Sequence, residues 1–93
     1  STNTSESLES TVSIPQIRVY PNPFQHFTTI ELDQATDNMQ VQLRNLNGQI
    51  VLNKIVPQQK SIRINRNNLV QAVYILQIIN EKEIIYTQKL IVR

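Results

Sequence analysis

Short runs of alternating apolar and polar residues, separated by turn-forming residues, make up most of the chain from about residue 17 onward. The clearest run is Gln40 to Arg44, in which Val41 and Leu43 alternate with polar neighbours, the period of a half-buried β-strand. We therefore predict that Val41 and Leu43 face a core and that Gln40, Gln42 and Arg44 face outward. No window keeps apolar residues at the i, i+3, i+4, i+7 spacing of an amphipathic helix. The pattern predicts seven strands, at residues 17–20, 27–32, 40–44, 49–56, 60–65, 72–79 and 84–92.

Two turn signals divide these runs. Pro21 and Pro23 remove two backbone donors, so the first strand must leave its sheet directly after Tyr20. Asn47-Gly48 lies between apolar residues and predicts a hairpin with a type I′ turn, because Asn and Gly adopt positive φ at low steric cost. Gly48 is the only glycine in the chain, and we expect its role to be the geometry of this turn.

The alternation breaks down near the end of the chain, where residues 73–76 and 84–85 are consecutively apolar. Such runs indicate either a central strand covered on both faces or an exposed patch that meets a partner. A weak homodimer is compatible with the second interpretation. Within the first run, Tyr74 is expected to pack in the core with its hydroxyl hydrogen-bonded at the edge. The spacing of the seven strands predicts an all-β fold, an immunoglobulin-like antiparallel β-sandwich.

The composition supports one β domain with a polar head. The chain has 93 residues, with 13 Ile and 8 Val against 8 Leu, 2 Ala and 1 Met, and β-branched side chains favour strands. It has no cysteine, which excludes disulfides and thiolate metal sites. Residues 1–13 are polar and rich in Ser and Thr, so we interpret residues 1–16 as a flexible linker and residues 17–93 as the folded domain.

Charge and hydropathy exclude two classes of partner. The net charge is only +2, and the basic residues are spread along the chain without interleaved aromatic residues, which argues against nucleic-acid binding. No apolar run approaches the roughly 20 residues that a membrane-spanning helix needs. With 10 Asn and 11 Gln, the surface is expected to be recognised by direct contact rather than by a long-range electric field.

The residues offer little chemistry for a reaction. His26 is the only histidine, and the loose acidic group Glu31, Asp33 and Asp37 does not have the spacing of a calcium loop. Five of the six serines lie in the polar head, and a single glycine cannot form a phosphate-binding loop. We therefore predict no catalytic site, no metal site, no cofactor and no small-molecule substrate, and we expect that the protein is not an enzyme.

Three segments resemble the motifs of one family. They are Val19–Phe24, with the sequence Val-Tyr-Pro-Asn-Pro-Phe; Val41–Val51, which contains Asn47-Gly48; and the ending Ala72–Ile75 followed by Lys89–Arg93. In this order and spacing they are similar to the C-terminal sorting domains of the type IX secretion system. Two sites depart from the family pattern. Ala72 stands where glycine is usual, and the last hairpin has Asn80 and Glu81 where the family usually has a glycine; Asn80 tolerates the left-handed region and is a reasonable substitute.

The resemblance implies a function as an address label. In this family an immunoglobulin-like sandwich at the C-terminus of a Bacteroidota cargo protein directs the cargo across the outer membrane. The implied partners are the outer-membrane translocon, its shuttle protein and a sortase-like peptidase, which would cut within residues 1–16. The implied location is the periplasm in transit, with the cargo then at the cell surface or secreted. The family motif and fold positions carried over are Tyr20, Pro21, Asn22, Pro23, Gly48 and Tyr74.

The final strand is the candidate recognition element. A lysine within an apolar last strand either prevents edge-to-edge association or supplies a charge that a partner recognises. The residues predicted to be recognised by a partner are Tyr86, Lys89, Leu90, Ile91, Val92 and Arg93. The alternative is a non-catalytic adhesive or carbohydrate-binding sandwich of a cell-surface protein. Such modules usually expose aromatic residues, and we expect at least three of the five aromatic residues here to pack inside.

Overall fold

Seven β-strands form the domain in a computed structural model, which describes residues 15–93. Those residues contain no helix, and so none that could span a membrane. Residues 1–14, on which most of the predicted linker and cleavage region falls, lie outside the described residues. All seven predicted strands are present, with bounds shifted by at most one residue at either end. The strands are β1 (Ile17–Tyr20), β2 (Phe27–Leu32), β3 (Met39–Arg44), β4 (Ile50–Val56), β5 (Ser61–Asn65), β6 (Ala72–Asn80) and β7 (Glu83–Val92).

The strands are arranged in two antiparallel sheets, with the orders β1-β2-β5 and β4-β3-β6-β7. This confirms the predicted immunoglobulin-like sandwich. A further hallmark of that fold is present at the start of β6. Tyr74 is buried, and its hydroxyl donates a hydrogen bond to the main-chain oxygen of Val70 at 2.8 Å. Tyr74 therefore packs in the core with its hydroxyl satisfied, as predicted.

The core lies between the sheets and follows the alternation of the strands. Strand β5 buries Ile62 and Ile64 and exposes its other residues. Strand β2 buries Thr28 together with Ile30 and Leu32. The buried apolar side chains are Phe24, Ile30, Leu32, Met39, Val41, Leu43, Val56, Ile62, Ile64, Tyr74, Leu76, Ile78, Leu90 and Val92. Thirteen of them come from strands, and Phe24 comes from the β1–β2 connection.

Gln42 differs in exposure from what the alternation predicts. Val41 and Leu43 face the core as expected, but Gln42 is only 8% exposed on the opposite, outer face. Its neighbours Asn53 on β4 and Gln77 on β6 stand directly beside it in the register. Within residues 15–93, no hydrogen-bond partner lies near its Oε1 atom. A central strand is crowded by its two neighbours, so outward direction does not guarantee exposure.

The β3–β4 hairpin exists, but the type I′ turn predicted for it is wrong. Gly48 has a φ of 85°, whereas Asn47 is absent from the residues with positive φ. The amide of Gly48 donates to Asn45 O at 3.0 Å, and the amide of Asn45 donates to Gln49 O at 2.9 Å. This is a three-residue loop, a type I turn followed by one left-handed residue. The Asn45 side chain stabilises it, because its Oδ1 accepts from the amides of Asn47 and Gln49.

The β6–β7 hairpin contains the type I′ geometry instead. Its two loop residues are Glu81 and Lys82, with φ values of 49° and 71°, and Asn80 pairs with Glu83 to close it. The expectation that Asn80 takes the left-handed conformation is therefore wrong. Type I′ turns need positive φ at both central positions, which Glu and Lys adopt only at a cost. Ala72 is not among the positive-φ residues, so the glycine usual at its position is not required by the backbone there.

The consecutive apolar residues of β6 are explained by its position. Strand β6 lies between β3 and β7, with Tyr74, Leu76 and Ile78 buried in the core. Ile75 and Ile79 point to the outer face of the four-stranded sheet, where they are half-buried. The same outer face carries other exposed aliphatic side chains, Ile50, Ile55 and Ile84. Within residues 15–93 no second layer covers this face.

The strand directions place the loops at two opposite poles. One pole, here called the motif pole, collects residues 21–26, 45–49 and 66–71 and the end of β7 at Arg93. The other, called the linker pole, collects residues 15–16, 33–38, 57–60 and 81–82. Strand β7 has ten residues, so the poles are roughly 30 Å apart at about 3.3 Å per residue.

Candidate functional site

Asn22 fastens the motif pole to the free edge of β7. Its Nδ2 donates to the main-chain oxygen of Lys89 at 2.9 Å, and its Oδ1 accepts from the amide of Ile91 at 2.9 Å. The free edge of a strand presents carbonyl oxygens and amide groups in turn, and the Asn22 carboxamide has a donor and an acceptor that pair with them. The Asn22 side chain therefore occupies the place that a neighbouring strand would take.

Phe24 continues the same contact with its backbone. Its amide donates to Ile91 O at 3.0 Å, and its carbonyl accepts from the amide of Arg93 at 2.9 Å, as an isolated parallel bridge centred on Val92. Its ring is 2% exposed and belongs to the core. Asn22 and Phe24 together satisfy four backbone groups along the last five residues of the chain.

The prolines shape this connection. Both the Tyr20–Pro21 and Asn22–Pro23 peptide bonds are cis. The carbonyl of Pro21 accepts a hydrogen bond from the buried hydroxyl of Thr28 at 2.8 Å. The segment after β1 turns back and contacts the edge of β7 through Asn22 and Phe24.

Arg66 joins three parts of the motif pole. Its Nε donates to Leu69 O at 3.0 Å, and its Nη1 donates to Gln25 O and to the main-chain oxygen of Arg93. Its amide also donates to His26 O at 2.9 Å. One guanidinium group thus connects the β5–β6 connection, the β1–β2 connection and the end of β7.

The β3–β4 hairpin completes the pole. Nη1 of Arg44 donates to Gly48 O at 2.9 Å, and its Nε donates to Gln77 Oε1 at 3.2 Å. A side chain at Gly48 would meet nothing within 4 Å, so its positive φ is what requires glycine. The three segments of the family resemblance therefore meet at one end of the sandwich.

An open groove separates this hairpin from the β5–β6 connection. It has a volume of about 570 Å³. The larger aliphatic side chains that line it are Leu46, Val51, Leu52, Leu69, Val70 and Val73. Leu46 and Val70 at its rim are 71% and 67% exposed.

The two poles differ in charge. Four basic residues lie in the motif pole or in the parts of β3 and β7 that lead into it: Arg44, Arg66, Lys89 and Arg93. None of the acidic side chains of residues 15–93 lies there. They all lie in or next to the loops of the linker pole: Glu31, Asp33, Asp37, Glu81 and Glu83. No acidic side chain of residues 15–93 therefore compensates the basic side chains of the motif pole.

The predicted recognition residues fall into three groups. Lys89 and Arg93 are exposed, and Ile91 is half-buried on the outer face of β7. Leu90 and Val92 are buried in the core, at 0% and 1% exposure, so their side chains are inaccessible to a partner in the folded domain. Tyr86 stands apart from the motif pole; it packs against the core, and its hydroxyl donates to Gln88.

Two aromatic side chains, Tyr20 and Phe27, are exposed on the three-stranded sheet. The guanidinium of Arg63 lies 4.0 Å from the centre of the Phe27 ring. The Tyr20 hydroxyl donates to Glu31 at 3.0 Å, and this hydrogen bond raises the pKa of Tyr20. Phe24 and Tyr74 are buried and Tyr86 is half-buried, which matches the expected three inward aromatic residues.

Two of the three acidic residues considered for a cation, Glu31 and Asp33, have partners elsewhere. Glu31 forms an ion pair with Arg18, and Asp33 Oδ1 accepts from the amide of Gln16 at 2.8 Å. Across residues 15–93, no three His, Asp or Glu side chains converge on one point.

Sequence reasoning missed the roles of Asn22, Phe24 and Arg66 in holding the last strand. The sequence gives one indication for Phe24, because a large apolar residue directly after a proline-rich turn is a candidate for burial in the core. Arg66 carried none, because its contact with Arg93 spans 27 residues.

Comparisons with known proteins bear on the family of the chain. A search of curated proteins gives no match for the chain. The family model for the secretion system C-terminal sorting domain matches residues 18–93, which include all seven strands apart from the first residue of β1. This family is generally non-catalytic and serves as a sorting signal for export to the cell surface or for secretion. The match confirms the resemblance, and the chain belongs to the family of type IX secretion system C-terminal sorting domains.

Proposed function

We propose that this domain directs an attached cargo protein through the periplasm and across the outer membrane by the type IX translocon, and that a sortase-like peptidase then removes it. The observation that carries the proposal is the convergence of the family motifs on one pole, while the cargo side of the chain joins at the other. If the export machinery recognises the motif pole, the linker pole remains free to carry the cargo.

The linker pole defines where removal would occur. Gln16 is tied to the fold, because its amide donates to Asp33 Oδ1 and its carbonyl accepts from the amide of Asp33 at 3.2 Å. Residues 1–13 are mostly polar, with Leu8 and Val12 as their only apolar residues, and show no hydrophobic periodicity. A peptidase needs an extended, unpaired segment, so we place the cut before Gln16.

The translocon and its shuttle protein would recognise the accessible part of the last strand. Lys89, Ile91 and Arg93 offer two positive charges and an aliphatic side chain on one continuous surface. Leu90 and Val92 contribute by packing, since they hold that strand against the core. Of the predicted recognition residues, only Lys89, Ile91 and Arg93 would then contact a partner directly. Tyr86 would act mainly through its packing.

The experiment is a reporter fusion in a bacterium with a working type IX system. The full 93-residue chain is placed after a periplasmic reporter, in the parent strain and in one lacking the outer-membrane translocon. We expect the reporter outside the parent cells only, with a mass that lacks residues 17–93. Export from both strains, or retention in both, would refute the proposed sorting role; an exported reporter of full mass would refute the removal step alone.

A truncation is a poor test of the recognition surface, because deleting Leu90–Arg93 removes two core side chains. Replacing Lys89 and Arg93 together with glutamine leaves the core intact. The matched control replaces Lys60 and Lys82, basic residues of the linker pole, with glutamine. We expect export to fall for the first pair and to stay at the parent level for the second. Equal export by both, with equal melting temperatures, would reject recognition through these charges.

A further inference from the structure

We propose that the groove at the motif pole binds an acidic, aliphatic segment of a partner protein. The inference rests on the proposed function, because the partner would belong to the export machinery. It adds the site of contact and the chemistry of the ligand, neither of which follows from membership of the family.

The groove has the shape of a binding site for side chains. Its volume of about 570 Å³ lies within the range of roughly 300–1,000 Å³ that is typical of ligand pockets. Leu52 and Leu69 form its inner wall and also pack against the core, so that wall is rigid. Leu46 and Val70 stand at the rim with most of their surface in water. An aliphatic side chain placed between them would cover apolar surface on both sides.

The charges around the groove select an acidic ligand. Arg66 lines it, and Arg44 lies on the hairpin whose tip carries Leu46. Arg44 hydrogen-bonds to Gly48 O and Gln77 Oε1, which are neutral acceptors. Arg66 hydrogen-bonds to main-chain oxygens, so no acidic side chain among residues 15–93 pairs with either guanidinium group. Complementary charge speeds association and rejects basic partners.

A protein segment fits this site better than a bilayer or a second copy. A bilayer surface would touch only the rim and leave the inner wall of the groove unfilled. A second copy would offer its acidic linker pole, but its acidic loops carry no exposed large aliphatic side chain except Ile84 beside Glu83. Both remain outcomes of the test below.

The first experiment is a titration of the isotope-labelled full chain followed by amide NMR. The probe is a short peptide that alternates glutamate with valine, and the control peptide alternates lysine with valine. We expect shifts within residues 45–52 and 65–74 for the acidic peptide only, and weaker binding at high salt. Replacing Leu46 and Val70 together with serine should weaken binding at least about tenfold, since two apolar contacts are lost. The matched control is Ile55→Ser, an exposed aliphatic residue outside the groove.

Three results would overturn the inference: no shifts in these segments, equal binding of both peptides, or binding only to phosphatidylglycerol vesicles. Sedimentation of the chain alone tests the second copy. A dimer that Leu46→Ser abolishes would assign the groove to self-association and also overturn the inference.

The second experiment separates the inference from the proposed function. In the reporter fusion, the serine variant of Leu46 and Val70 should be exported less than Ile55→Ser at equal melting temperature. If the parent fusion is not exported at all, the proposed function fails. If the parent fusion and the groove variant are exported equally, only the groove inference fails.

Discussion

Replacing Asn22 with alanine removes both hydrogen bonds by which its side chain holds the free edge of β7. The two losses are unequal. Lys89 is exposed, so water can reach its carbonyl and replace the lost donor. The amide of Ile91 is partly buried and would lose its acceptor without a substitute.

The expected cost follows from these environments. A hydrogen bond contributes about 1 kcal/mol net, and an orphaned buried group costs about 1–3 kcal/mol, so we expect a loss of about 2–3 kcal/mol in the free energy of unfolding. For a domain of this size, 1 kcal/mol shifts the melting temperature by roughly 4–8 °C. The variant should therefore melt roughly 8–24 °C below the parent.

The assay is urea unfolding followed by circular dichroism, together with hydrogen exchange at the amide of Ile91. Asn68→Ala is the matched control, because Asn68 is an exposed asparagine of the same pole. We expect a lower midpoint and faster exchange at Ile91 for the Asn22 variant only. An Asn22 variant as stable as the control, with Ile91 still protected, would refute the assignment of Asn22 as the clamp on β7.

Three further substitutions test the local geometry, each by its urea midpoint. Replacing Glu81 and Lys82 with Asn and Gly should stabilise the domain by about 1 kcal/mol, because these residues suit the left-handed positions of a type I′ turn; a lower midpoint would contradict that geometry. Gly48→Ala should cost about 1–2 kcal/mol through its positive φ alone, since space for the methyl group is open, and an unchanged midpoint would argue against a left-handed residue there. Tyr74→Phe should lower the stability by about 1 kcal/mol through loss of the hydrogen bond to Val70 O, and a neutral effect would show that this hydrogen bond contributes no stability.

The strands could be predicted because their signal is local. In β2 and β5 the buried residues recur at every second position, and each run ends at turn-forming residues. The fold class followed from counting such runs. The consecutive apolar residues of β6 were ambiguous, because sequence alone does not say which strands flank it. Because β6 lies between β3 and β7, its inward-facing apolar residues are explained by the core.

The motif pole could not be predicted in the same way, because its contacts join distant parts of the chain. Asn22 and Ile91 are 69 residues apart, and an asparagine between two prolines reads as a turn residue whatever it contacts. The hairpin turns were mispredicted for a related reason. Asn47-Gly48 suits a type I′ turn, but the hydrogen bonds of the Asn45 side chain favour a longer loop. At Glu81 and Lys82, the pairing of two long strands overrides local preference.

Hydrogen exchange of the domain in complex with the purified outer-membrane translocon tests the central claim most directly. The exchangeable amides of residues 22, 24–26, 45–49 and 66–71 lie at the motif pole, and those of residues 33–38, 58–60 and 81–82 lie at the linker pole. If the motif pole is the recognition surface, the translocon slows exchange in the first set and leaves the second unchanged. Protection confined to the linker pole, or no protection at either pole, would contradict the account.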